Sequence, residues 1–148
     1  MGALPPGAGA NHTMAQMEIE LILMRQLASH LTMPIFLYGP DEDLLYFNEA
    51  AEKLIGISFD DAAPMPPDRL AALFRTKTEE GKRLPSSQLP IVIALRERRP
   101  VHQPVRFRSL DGVSRTIDLT AIPLDGQGGR QLGAVAIFWE RKEEEAAE

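Results

Sequence analysis

The sequence predicts an α+β domain built on one five-stranded antiparallel sheet. Three observations carry that expectation. The first is Leu132–Glu140, LGAVAIFWE, which sets Leu132, Ala134, Ala136 and Phe138 on one face and Val135, Ile137 and Trp139 on the other. A strand that is apolar on both faces is central, with material packed on each side. The second is Asp111-Gly112 between two alternating runs, a tight hairpin signal. The third is the order: two short strands, a cluster of short helices, then three strands in a meander.

Residues 1–12 are mostly Gly, Ala and Pro, with little to bury, and are expected to form a disordered leader. Thr13-Met14-Ala15-Gln16 fits a capping box that opens a helix over 13–32. Met17, Leu21, Met24, Ala28 and Leu31 recur at heptad spacing along it. Ile19, Ile22, Leu23 and Leu27 widen its apolar surface beyond what one contact uses. One side is therefore expected to cover the domain. The other, assigned to Met17, Leu21, Met24 and Leu31, is expected to pair two copies into a homodimer.

The domain proper is expected over 33–140, with a charged tail or linker start over 141–148. Pro34 ends the helix, and Ile35–Tyr38 and Leu44–Phe47 form a hairpin across Gly39–Asp43. Asn48 caps the next helix, which closes at Gly56 in a left-handed C-cap. Ser58–Pro67 reads as a loop, and Asp68 as the cap of a helix with Leu70, Leu73 and Phe74 on one face. Ser86 or Ser87 caps the following helix, with Pro90 in its first turn and Leu89, Val92, Ile93 and Arg96 facing inward. Val101–Ser109 and Val113–Leu124 alternate as strands before the final one.

The net charge of −5 and the lack of a Lys/Arg cluster argue against a nucleic-acid partner. With no cysteine, disulfides, thiolate metal sites and cysteine nucleophiles are excluded. No signal peptide or spanning segment is visible, so no membrane partner and a cytoplasmic location are expected.

The order and punctuation resemble the PAS domain family over roughly Met33–Glu140. The matching pieces are Pro34-Ile35-Phe36-Leu37, Phe47-Asn48-Glu49-Ala50-Ala51, Leu54-Ile55-Gly56, Leu84-Pro85, Leu89-Pro90, Asp111-Gly112 and Gly133-Ala134-Val135-Ala136. The resemblance implies that the last strand sits mid-sheet, with helices on one face. It also implies that the N-terminal helix covers the other face and pairs subunits. Many members end the last strand with Asp-Ile/Val-Thr, leading to a signalling helix. Here Glu140-Arg141-Lys142 stands in that place, keeping a carboxylate without the Thr.

The resemblance implies a sensory and homodimerisation module in signal transduction or transcriptional regulation, with a downstream effector and a non-enzymatic role. Its pocket would lie between sheet and helices, bounded by Phe36, Phe47, Leu54, Leu73, Val92, Val105, Phe107, Leu119 and Ala136. In sequence such a pocket and a filled core look alike, so the ligand is open and a ligand-free adaptor is one alternative. A small isomerase- or dehydratase-like enzyme is another, but its acid or base would have to point inward, and Asp118 falls on the polar side. Cofactors are not expected. Cysteinyl-flavin and hydroxycinnamoyl photochemistry need the absent Cys. The family's haem-ligating helix corresponds to Ser87–Arg99, which has no His. His102 on the next strand reads more simply as an exposed imidazole, and His12, His30 and His102 share no metal spacing. Ser86-Ser87 read as caps, Asp41-Glu42-Asp43 as a solvated turn, and Arg96, Arg98 and Arg99 as a charged helix end.

Overall fold

The computed structural model describes residues 19–20 and 22–141. The expected leader, the capping box at Thr13, Met17 and Leu21 of the expected dimer stripe, and the tail from 142 lie outside the described residues.

Helix α1, described at residues 19–20 and 22–30, is followed by β1 (Ile35–Tyr38) and β2 (Leu44–Phe47). Then come α2 (Glu49–Ile55), α3 (Phe59–Ala62), α4 (Pro67–Phe74) and α5 (Pro90–Glu97). Strands β3 (Val101–Arg108), β4 (Ser114–Asp125) and β5 (Gln131–Glu140) follow. All pairings are antiparallel and the sheet order is β2-β1-β5-β4-β3. The strand apolar on both faces is thus the central one, as expected. Ala136 lies between Phe36 of β1 and Ala121 of β4.

The inner sheet face packs against α2, α4 and α5. Phe36 stacks on Phe47 with centroids 4.9 Å apart and meets Phe138 edge-on at 5.5 Å. Phe74 of α4 meets Phe107 of β3 at 6.1 Å. From α5 come Ile91, Val92, Ala94 and Leu95, all buried. Arg96, expected inward, instead points out and forks onto Glu42 with bonds of 2.9 and 3.0 Å. A guanidinium facing that apolar wall would have had no acceptor, so it takes one at the surface.

Strand β5 breaks its own alternation. Gly133 has φ 145°, and the β4 partner register slips between Leu124 and Asp125. Leu132 therefore leaves the face of Ala134, Ala136 and Phe138. It is buried, but outside the inner cluster that holds those three. The position demands glycine, because a Cβ there would lie 2.0 Å from the Tyr38 carbonyl oxygen.

On the outer face, Ile35 and Leu37 are buried although neither belongs to the inner cluster. Helix α1 covers this half. Its Arg25 sits over the outward Tyr46 ring at 4.7 Å, and its Glu20 reaches Arg130 at 3.2 Å. Over β4 and the end of β5, Ile122 and Trp139 remain exposed.

Two helix starts differ from the sequence reading. Ser58 caps the short α3 inside the expected loop, its hydroxyl accepting from the Asp61 amide. Neither α4 nor α5 has a side-chain cap. Each opens on a proline, Pro67 and Pro90, whose missing N–H makes one fewer demand. Asp68 and Ser86, both expected as caps, instead hydrogen-bond each other between α4 and the turn Ser86–Gln88.

Candidate functional site

The packing of α4 and α5 on the sheet leaves a cavity of about 70 Å³. Phe36, Tyr38, Ile117, Leu119, Val105, Phe107, Ala136 and Phe138 form its sheet wall. Ile55, Leu70, Phe74, Thr76, Leu89, Pro90 and Ile91 form the other. Of the nine residues expected to bound a pocket, Phe36, Val105, Phe107, Leu119 and Ala136 line it. Phe47 and Val92 are fully buried elsewhere in the core, and Leu54 and Leu73 are half-exposed at its margin. Tyr38, Phe138 and Ile117 were within reach of strand parity, two residues from Phe36, Ala136 and Leu119. Ile55, Phe74, Thr76 and Leu89 depend on how the helices dock, which no periodicity states.

Among the described residues, only two side chains on the cavity wall carry polar atoms, and both are engaged. The Tyr38 hydroxyl donates to the Met65 carbonyl at 3.0 Å, and the Thr76 hydroxyl to the Leu84 carbonyl at 2.8 Å. Burial pushes the Tyr38 phenol well above its ordinary pKa, so it stays neutral.

Thr76 opens an edge hairpin, residues 76–84. It is closed by Leu84 N–H to the Thr76 carbonyl at 2.9 Å and Thr78 N–H to the Lys82 carbonyl at 2.7 Å. Lys77 exchanges two main-chain bonds with Arg106, at 2.8 and 2.9 Å, so the hairpin covers the free edge of β3. Its Glu79 accepts from Arg141 Nη1 at 2.7 Å, while Arg141 Nη2 donates to Asp118 at 2.6 Å. These two carboxylates raise the Arg141 pKa, so its charge is permanent. Glu140, just before it, takes both oxygens to Arg115 at 3.1 Å. The end of β5 is therefore clasped by ion pairs to β4 and to the hairpin that walls the cavity.

Among the described residues, Asn48 is tied to more main-chain groups than any other side chain. As expected, it caps α2, accepting from the Ala51 amide at 3.1 Å. The same oxygen accepts from the Ile35 amide at 3.1 Å, opening β1. Its amide nitrogen donates its two protons to the carbonyls of Met33 at 2.8 Å and Ala28 at 3.1 Å, with the Leu31 carbonyl sharing at 3.4 Å. One fully buried side chain thus joins the end of α1 to β1 and α2.

Met24, expected on the dimer stripe, is half-buried, and its heptad neighbour Ala28 is buried. Leu31 of that stripe is exposed. The apolar side of α1 in water is Ile19, Ile22, Leu23 and Leu27, at 57–65% exposure. The face nearest the sheet takes the small Ala28, which lets the helix approach closely. His30 and His102 are both exposed, and His102 Nδ1 sits 2.7 Å from the Thr120 hydroxyl oxygen. Among the described residues, no group of His, Cys, Asp and Glu is placed to hold a metal ion, and no helix is long and apolar enough to cross a membrane.

A sequence profile described as the PAS fold matches residues 28–146. The chain belongs to the PAS family. No curated protein sequence matches it. Solved PAS domains share its fold at low identity. The PAS domain of BvgS from Bordetella pertussis is 16% identical, covering 86% of this chain and 90% of that one, with a TM-score of 0.60. The PAS domain of the fruit-fly ELK potassium channel is 14% identical, with coverages of 81% and 95% and a TM-score of 0.64. That of nitrogen regulation protein NR(II) from Vibrio parahaemolyticus is 18% identical, with coverages of 80% and 98% and a TM-score of 0.57. PAS domains are sensory modules of signalling proteins and are generally non-enzymatic.

Proposed function

We propose that this PAS domain is a ligand-responsive, homodimeric module that serves signal transduction or transcriptional regulation and catalyses nothing. The cavity carries this reading. Interiors pack to crystal-like density, so a void between sheet and helices is space for an occupant. Its wall includes Phe74 and Thr76, at the root of the hairpin that grips Arg141. A change in cavity filling can therefore reach the end of β5, where the chain leaves the sheet. The non-enzymatic reading is supported by the cavity's chemistry. Asp118 lies outward on Arg141, and the two wall hydroxyls have no base beside them. A downstream effector, on this chain or another, would read the clasp.

The test of sensing is a thermal-shift screen with small neutral, anionic and cationic molecules. At least one class should raise the melting temperature saturably, and Ala136→Leu, which fills the cavity, should abolish the effect. If no class binds, the reading fails. Pairing is supported by Ile19, Ile22, Leu23 and Leu27. Covering such side chains is worth roughly 1.5–3 kcal/mol each, enough in a symmetric pair to offset the cost of association. Light scattering at tens of micromolar should give a dimer for the parent and a folded monomer for Leu23→Glu, Leu27→Glu. A monomeric parent, or a variant that stays dimeric, contradicts this contact.

A further inference from the structure

We infer that the occupant of the cavity is a small, uncharged, apolar molecule. This rests on the ligand-responsive reading and narrows it. The argument starts from what the wall cannot offer. Among the described residues, no charged side chain, His, Asn or Gln lines it. Its two hydroxyls have each spent their one proton on a main-chain carbonyl, Met65 for Tyr38 and Leu84 for Thr76. An anion needs donors, and none is left for it. A cation needs an opposing charge or a ring of acceptors, and would meet Phe, Leu, Ile and Val side chains instead. An ion left unpaired in such surroundings loses its hydration and gains nothing equivalent.

Size narrows the class further. The cavity of about 70 Å³ is roughly half the ~150 Å³ of a dry engineered cavity that takes benzene. Water itself is a poor occupant, because it needs two to four polar partners and the two wall hydroxyls, their protons spent, leave it no donor. A compact apolar molecule gives up no hydrogen bond on entering and restores dispersion contacts that the empty wall lacks.

The probes are xenon and dichloromethane against acetate and methylammonium, all of similar size. Each is titrated into the chain with ¹³C-labelled Ile, Leu and Val methyls. Xenon and dichloromethane should shift the methyls of Ile55, Val105 and Leu119 saturably, while those of Leu23 and Leu27 on α1 show at most a linear drift. Acetate and methylammonium should move none of them. Ala136→Leu should lose the response. Should that variant unfold, the smaller filler Ala136→Val serves, with an expected weakening of at least several-fold. Thr76→Val, which removes the hydroxyl and keeps the shape, should leave dichloromethane binding within about two-fold if it folds. Saturable binding of acetate or methylammonium at these methyls, without the apolar probes, overturns the apolar class and leaves the sensor reading standing. No response to any probe removes the inference, and with an equally silent thermal-shift screen it removes the sensor reading too.

Discussion

Replacing Asn48 by Ala tests whether one side chain holds α1, β1 and α2 together. A helix cap alone is worth about 1 kcal/mol. Asn48 does more than cap. Its loss strands the buried Ile35 amide as well as the Ala51 amide, and removes the donor to the carbonyls of Met33 and Ala28. Each buried group left without a partner costs roughly 1–3 kcal/mol, with some recovered by water entering the gap. The expected loss is about 3–5 kcal/mol, large against the ~5–15 kcal/mol stability of a domain. Urea denaturation should show the midpoint falling with the slope unchanged. Asn48→Asp divides the effect. Its carboxylate still accepts from Ala51 and Ile35 but turns an oxygen toward the Met33 and Ala28 carbonyls. Hydrogen exchange should then speed up in residues 22–30 while α2 keeps its protection. A loss of only about 1 kcal/mol for Asn48→Ala, with α1 exchange unchanged, would refute the reasoning and reduce Asn48 to a cap.

Two further expectations follow from particular atoms. Gly133→Ala should be strongly destabilising, by more than ~2 kcal/mol, since its Cβ collides with the Tyr38 carbonyl at a backbone angle that other residues avoid; an unchanged melting temperature contradicts the bulge. Tyr38 has its pKa raised by burial, so the folded state holds its proton above pH 10, where the unfolded chain releases it. The stability is present below about pH 10 and declines above it. Tyr38→Phe should therefore flatten the alkaline limb of the stability profile, besides costing roughly 1–2 kcal/mol for the stranded Met65 carbonyl; an equally steep limb would show that Tyr38 is not its source.

The sheet was legible because its signals are local. Two-sided apolarity named β5 as central, Asp111-Gly112 set the β3–β4 turn, and Asn48 and Gly56 bracketed α2. What was not legible depended on distant partners. The face of Leu132 turns on a bulge that brings Gly133 against Tyr38, nearly a hundred residues earlier. Ser58 could have been read as a cap, but three nearby prolines hid the short α3. The wider role of Asn48 involves carbonyls 15–20 residues upstream, which its own surroundings do not announce. The cavity residues divide in the same way. Strand parity placed Phe36, Val105 and Phe107 correctly, whereas Leu54 and Leu73 share helices with Ile55 and Phe74, and docking rather than sequence decides which neighbour turns inward. For α1, two apolar stripes were visible, but only packing chose Ala28 over Leu23 for the domain.

The claim that the domain senses through its cavity is tested most directly by hydrogen exchange on the intact chain with and without saturating dichloromethane. Protection should change in the edge hairpin, residues 76–84, and at Glu140 and Arg141, with little change in β2 at the opposite edge of the sheet. A uniform rise across every element would mean that the molecule only stabilises the fold. That result, or no change at the hairpin and the end of β5, would contradict the account.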